Sequence, residues 1–454
     1  MKKYLPFFAA LLLGLILGSA SMLIYSNLRN DKEANPNNAV VGKKIALDQI
    51  KESTHLSKVM NAEGVYWQRS FDLFWNDLEK EKGIYDWSMF DNRMKEIDDM
   101  GIYAVVTIKP FANWDQNACH DKAYEAIFDP KKGGNLKVGI PCDMEAYSKF
   151  LESVVERYDG DGNDDMPGLI IPIKYWEIMN EPSMQGGSTG GMGEELKFFV
   201  GTSEEYLEIL KTSYEVIKKA DSEAKVLQGG QAGMQETFVD FWEPVFEAGG
   251  GDYFDIANIH AISVDERNES LFVIRFKEFL AKYDLEEKPI WLTEVQYGSL
   301  TDKPEDMQAF EETMVKSSVF ALAQGADKLF YIENWTHWDE SNKWGEKPEM
   351  PDLSDSSTHS VYLNLVDKIN NYDKILVLAE DYDEVGNDFE GVHSNMGQYK
   401  FIDGSSSVFV LWGEAQIPEE ITGKVRVTDI YGVSKEIDAS EVVLFESPIF
   451  IELI

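Results

Sequence analysis

The chain has 454 residues, 44% hydrophobic and 12% aromatic, enough for one large core and a smaller module. Its 81 acidic and 42 basic residues give a formal net charge of −39. Such a surface repels nucleic acid and anionic membranes, which argues against both as partners, and it disfavours polyanionic substrates at long range.

The first stretch, "MKKYLPFFAALLLGLILGSASMLIYSN", carries Lys2 and Lys3 ahead of an apolar run from Tyr4 to Tyr25. Gly18-Ser19-Ala20 fits the small-residue cleavage site of a signal peptide. The following "MLIY" extends the run to about 20 residues, which also suits a single membrane anchor. Either reading of residues 1–27 puts the body of the protein outside the cytoplasmic membrane. The membrane then enters only through this segment. No Cys near Ala20 supports a lipid anchor, and the Asn/Lys-rich residues 28–50 read as a linker.

From Val65 strands and helices alternate. "GVYWQRS" reads as a strand. "DWSMFDNRMKEIDDMG" reads as a helix with Asp86 as N-cap, an apolar face at Phe90, Met94 and Ile97, and a stop at Gly101. "IYAVVTIKP" is a continuous apolar run, as a parallel strand covered on both faces requires. Cys119 and Cys142 follow, flanking a loop. An exported protein can bridge them, at about 3 kcal/mol of stabilisation, or they remain two thiols. No Cys or His cluster has the spacing of a metal site.

"DMEAYSKFLESVVERY" is helical, and "LIIPIKYWEI" is the next strand. The rhythm continues with strands "AKVLQGG", "FDIANIHAIS", "KPIWLTEV" and "KLFYIENW", separated by amphipathic helices. The helix from Pro304 closes at Gly325. Seven strands are visible and an eighth falls within 40–60, so residues 51–371 are expected to form an α/β fold, a (β/α)8 TIM barrel. A doubly wound open sheet is the alternative, but no Gly-rich phosphate loop follows an early strand. Residues 372–454 change to short strands with Gly, Ser and Asp turns, read as a small β-sandwich. Its role is structural or carbohydrate-binding. Trp412 is its one candidate aromatic platform.

In a β/α barrel the working residues project from the C-terminal strand ends. The fourth strand ends in Asn180-Glu181-Pro182 and the seventh delivers Glu294 in "WLTEV". Two carboxylates across one mouth suit glycosidic cleavage, one protonating the leaving group and one attacking the anomeric carbon.

"YWEIMNEP" and "IWLTEVQYG" resemble the acid/base and nucleophile strands of glycoside hydrolase clan A. "VYWQRSFDLFWNDLEKEKGIYDW" is similar to the arginine strand and following loop of its family 39-like and family 5-like members. The resemblance spans Val65 to Asn370. It implies Glu181 as acid/base, Glu294 as nucleophile, Asn180 on the sugar 2-hydroxyl and Arg69 beside the nucleophile. It also implies His260 near the acid/base and Trp335 as the sugar floor, with Trp114 as another wall.

A retaining β-glycosidase acting on a carbohydrate and requiring no cofactor is expected. The alternative is a non-catalytic carbohydrate-binding barrel at the cell surface. An aldolase or oxidoreductase lacks its Schiff-base Lys or dinucleotide fingerprint. One departure stands out. The family's aromatic residue two positions after the sixth-strand His is here Ile262, which leaves Tyr297 or Tyr331 to supply the hydroxyl. Asp159, Asp161, Asn163 and Asp165 alternate like half a calcium loop. Asp164 replaces its Gly and Ile170 its closing Glu, so the stretch reads as a solvated acidic turn, with calcium binding as the alternative.

Overall fold

The structure, a computed structural model, describes residues 52–59, 65–127, 136–186, 196–264, 269–297, 304–332, 357–385 and 391–454. The expected signal or anchor segment and the linker at 28–50 lie outside the described residues. No described helix is long and apolar enough to cross a membrane.

Residues 45–454 form one compact unit. Its first part holds the parallel strands β1 (Leu56–Lys58), β2 (Trp67–Phe74), β3 (Tyr103–Lys109), β4 (Tyr175–Ile178), β5 (Lys225–Gln228), β6 (Ala257–Val264), β7 (Ile290–Tyr297) and β8 (Ala326–Tyr331). Hydrogen bonds run in the order β5-β4-β3-β2-β1-β8-β7-β6. Parallel bridges Leu227↔Ile256 and Gln231↔Ile259 join β5 to β6 and close the barrel. A side chain stitches that seam. Gln228 Nε2 donates to the Asn258 carbonyl at 2.6 Å, and the Asn258 amide donates to Gln228 Oε1 at 2.8 Å.

Helices α1 (Trp75–Leu78), α2 (Ser88–Met100), α3 (Asn113–Cys119), α4 (Met144–Tyr158) and α5 (Ser203–Ala220) lie along the first half of the barrel. Helices α6 (Glu236–Glu247), α7 (Val273–Ala281), α8 (Pro304–Ala323) and α9 (Ser357–Ile369) follow. α2 buries Phe90, Met94 and Ile97 as its periodicity predicts, and ends at Gly101 with φ 69°. Its first helical residue is Ser88, two beyond Asp86, whose side chain still accepts the Ser88 amide. The first strand is only three residues long, and two of them are the buried polar Ser57 and Lys58, which is why its pattern is faint.

The barrel interior is filled at the N-terminal end of the strands by Trp67, Val105, Leu227, Ile256, Trp291 and Phe330, with Tyr103 and Tyr175 beside them. Lys328 is buried among them. Its Nζ lies 4.3 Å from the Trp67 ring centroid and donates to the carbonyls of Glu52 and Thr54, and burial pulls its pKa down to about 7. This plug leaves the opposite rim, where the strands end, as the open mouth.

Strands β9 (Lys374–Val385), β10 (Gly391–Asp403), β11 (Ser406–Trp412), β12 (Lys424–Asp429), β13 (Ser434–Asp438) and β14 (Ile449–Leu453) form one antiparallel sheet, ordered β13-β12-β14-β11-β10-β9. Strand alternation splits its apolar residues between two cores. Tyr399, Phe401, Val410, Trp412 and Phe450 join the main core that also holds the barrel's outer layer. Phe409, Leu411, Val425, Val427 and Ile451 form a separate cluster on the other face. Trp412 is fully buried and donates to Ser394 Oγ, so it offers no platform to a sugar.

Candidate active site

Backbone geometry places Asn180 and Glu181 at the mouth. β4 stops at Ile178, and Met179 (φ 71°) and Glu181 (φ 43°) adopt left-handed conformations that L-residues avoid. Each costs about 1–3 kcal/mol and persists only where the surroundings hold it. Here the Met179 amide donates to the Ile108 carbonyl and the Met184 amide to the Glu181 carbonyl, both at 2.9 Å. The chain after β5 presses close. A Cβ on Gly229 would lie 2.7 Å from the Ile178 carbonyl oxygen, so only glycine fits.

Five of the seven expected residues converge. Arg69 Nη1 donates to Glu294 Oε1 at 2.5 Å and Nη2 to Asn180 Oδ1 at 2.6 Å. His260 Nδ1 lies 2.8 Å from Glu181 Oε1 and 3.9 Å from Glu294 Oε1. Oxygens of Glu181 and Glu294 and a ring nitrogen of His260 all lie within 4.8 Å of one another. His260 and Glu294 are register partners on β6 and β7, and register shifts after Arg69 and before His260 re-aim both strands locally.

Trp114 packs edge-on against Trp75 and donates its indole N–H to the Glu79 carbonyl. Trp335 lies outside the described residues. Of the two tyrosines considered for the missing hydroxyl, the Tyr297 side chain lies outside the described residues, and Tyr331 stacks on Tyr362 at 4.9 Å. Among the described contacts, Arg69 orients Glu294.

One residue was absent from the expected set. Glu177, four before Glu181, is fully buried in the barrel interior. Its Oε2 accepts from Arg69 Nε at 2.6 Å and Thr107 Oγ1 at 2.8 Å. Its Oε1 accepts from Arg69 Nη2 at 3.1 Å, Asn258 Nδ2 at 2.9 Å and the Gly230 amide at 3.3 Å. Burial pushes its carboxyl up, but the Arg69 charge and these donors bring it below the usual range. For Arg69, burial opposes the charge, and Glu177 and Glu294 outweigh it. The sequence did hold a signal, since a lone carboxylate inside the apolar run "KYWEI" is costly unless paired.

Hydrogen bonds fix the state of His260. Asn258 donates its Nδ2 to Glu177, so its Oδ1 accepts from Thr293 Oγ1 at 2.9 Å. The Thr293 hydroxyl hydrogen is therefore committed, and at 2.9 Å its oxygen must accept from His260 Nε2–H. One proton then lies between His260 Nδ1 and Glu181. Burial disfavours a charged imidazole, but Glu294 and Glu181 outweigh it and raise His260 above its ordinary value. The site thus pairs a carboxylate oriented by Arg69 with a second carboxylate hydrogen-bonded to His260.

Elsewhere, Cys119 and Cys142 are bridged with Cα atoms 5.9 Å apart. The acidic turn is tied by its own amides: Asp165 accepts from Gly160 and Gly162, Asp161 from Asn163, and Asp159 from Asp161. Burial raises Asp159 to about 6.

No protein-family model and no curated protein matches the chain. Its fold is similar to several solved structures. A family 39 glycoside hydrolase from Bacteroides cellulosilyticus WH2 is 14% identical at a TM-score of 0.55, over 86% of this chain and 76% of that one. A glucosidase from Croceicoccus marinus is 13% identical at 0.53, over 86% and 89%. A family 44 endoglucanase from Clostridium acetobutylium is 14% identical at 0.52, over 88% and 96%. At these identities the likeness is one of fold, and it is the fold that the clan A resemblance implied.

Proposed function

We propose that the protein is a retaining β-glycoside hydrolase. The observation that carries this reading is the approach of Glu181 and Glu294, with an oxygen of each within 4.8 Å. Retaining enzymes hold their carboxyls about 5–5.5 Å apart, whereas inverting ones leave about 6.5–9.5 Å for a water. The solved structures of similar fold, named as glycoside hydrolases, point the same way.

In the first step Glu294 attacks the anomeric carbon while the proton shared by Glu181 and His260 passes to the departing oxygen. A glycosyl ester on Glu294 results. In the second step Glu181, now ionised, takes a proton from water, the water oxygen attacks the same carbon, and Glu294 leaves. Asn180 accepts from Arg69 through Oδ1, which leaves its Nδ2–H2 to donate to the sugar 2-hydroxyl.

Glu294→Gln is expected to abolish turnover of aryl β-glycosides. Glu181→Ala is expected to slow it on the order of 10²–10⁴-fold, with azide restoring turnover as a β-glycosyl azide. Proton NMR of the first-formed sugar is expected to show the β-anomer. An α-product, or a Glu294→Gln variant at wild-type rate, overturns the mechanism.

A further inference from the structure

We infer that Glu177, which touches no reacting atom, is the positioning residue that aims Arg69 at the nucleophile and tempers its charge there. This inference rests on the proposed role of Glu294. Arg69 has five N–H bonds in one plane. Nε–H and one Nη2–H grip the two oxygens of Glu177, which fixes the plane. The remaining edges are then aimed, Nη1–H at Glu294 and the second Nη2–H at Asn180. Among the described residues, the other side chains that bond the Arg69 guanidinium are Glu294 and Asn180, both at the mouth.

The second role is electrostatic. Arg69 stands between two carboxylates in a buried site, so Glu177 offsets much of the charge that Glu294 meets. An arginine facing Glu294 alone holds the carboxylate more tightly and makes it a weaker nucleophile. Other groups around Glu177 are Thr107 on β3, Tyr206 on α5, the Gly230 amide after β5, and Asn258 and His260 on β6, with His260 Nε2 at 3.9 Å. Asp72 on β2 adds a negative charge near Arg69. All the described hydrogen-bonding neighbours of Glu177 are donors, which suits a carboxylate. The amide of glutamine turns its own N–H2 toward them.

The sign follows from the charge. Removing a negative group makes protonation harder for its neighbours, so both the nucleophile and the Glu181–His260 pair give up their protons at lower pH. In Glu177→Gln both limbs of the kcat/KM profile with an aryl β-glycoside are expected to move down by about one unit. Misaim of the nucleophile is expected to lower kcat on the order of 10²-fold. Glu177→Asp keeps the charge and loses the fork, so kcat falls with both limbs unmoved. This variant carries the test if the glutamine variant does not fold.

A readout independent of turnover is the carboxyl-carbon NMR titration of Glu294, assigned by the signal that Glu294→Gln removes. Its midpoint is expected to fall in Glu177→Gln. If the wild type cleaves no glycoside, the proposed activity fails while a moved midpoint still upholds this inference. A folded Glu177→Gln with an unmoved midpoint overturns it, as does Glu177→Asp at wild-type kcat.

Discussion

At the residue scale, the site depends on what glycine leaves out. A Cβ on Gly230 would lie 2.1 Å from His260 Nε2. His260 cannot retreat, because it is fully buried and held at both ring nitrogens by Glu181 and Thr293. Gly230→Ala is therefore expected to push the imidazole off Thr293 and so off Glu181. The protein is expected to lose about 1–3 kcal/mol by overpacking. The basic limb of its pH profile should shift as the shared proton loses its second seat. Denaturant unfolding and the pH profile check this, and an unshifted limb with unchanged stability refutes it. The neighbouring "QGG" is readable in the sequence as a strand end, but nothing in the letters tells which ring will pack on the second glycine. Glu181 and Glu294 were legible because strand position dictates where their carboxylates emerge. For Glu177 the letters show only a buried carboxylate in need of partners, because those partners, Arg69, Thr107 and Asn258, arrive from three other strands.

At the element scale, strand-helix alternation was legible from β2 to β8, where apolar strand runs alternate with stretches of helical periodicity. The short β1 was not, since its hydrogen bonds to β8 rather than its composition make it a strand. Nor does the sequence reveal the link between the barrel and the C-terminal sheet. After β6 the chain passes through Glu269, then Leu271 (φ 52°) and Phe272 (φ 67°), two bulky residues in the left-handed region before α7. Glu269 anchors this strained entry to β10. Its amide donates to the Val392 carbonyl at 3.0 Å, and its Oε2 accepts from the Ser394 amide at 2.7 Å. The sheet thus braces the described chain that enters α7. Glu269→Ala is expected to cost about 1.5–3 kcal/mol, the value of a hydrogen bond to a charged group, and to lower kcat more than it raises KM. Unfolding midpoints and steady-state kinetics decide it, and a stable variant with wild-type kcat removes the brace.

At the scale of the whole molecule, the question is whether the C-terminal sheet is a passenger or part of the enzyme. A passenger module keeps its own core and melts separately. Here Tyr399, Phe401, Val410, Trp412 and Phe450 lie in the same apolar cluster as Phe320, Val361 and Leu365 of α8 and α9. Phe320 packs against Tyr382 at 5.4 Å, Tyr431 donates to Glu311 Oε2 at 2.9 Å, and Lys368 pairs with Glu452 at 2.9 Å. These contacts cover two barrel helices that would otherwise present apolar faces to water. A net charge of −39 already strains the compact state by self-repulsion, which leaves less margin for losing that cover. A chain ending at residue 372 is therefore expected to be insoluble or to lack a cooperative transition, and the full chain to melt in one calorimetric peak. Two peaks, or a soluble and active truncation, would make the sheet an accessory module. A single peak makes it the wall on which the barrel's last two helices rest.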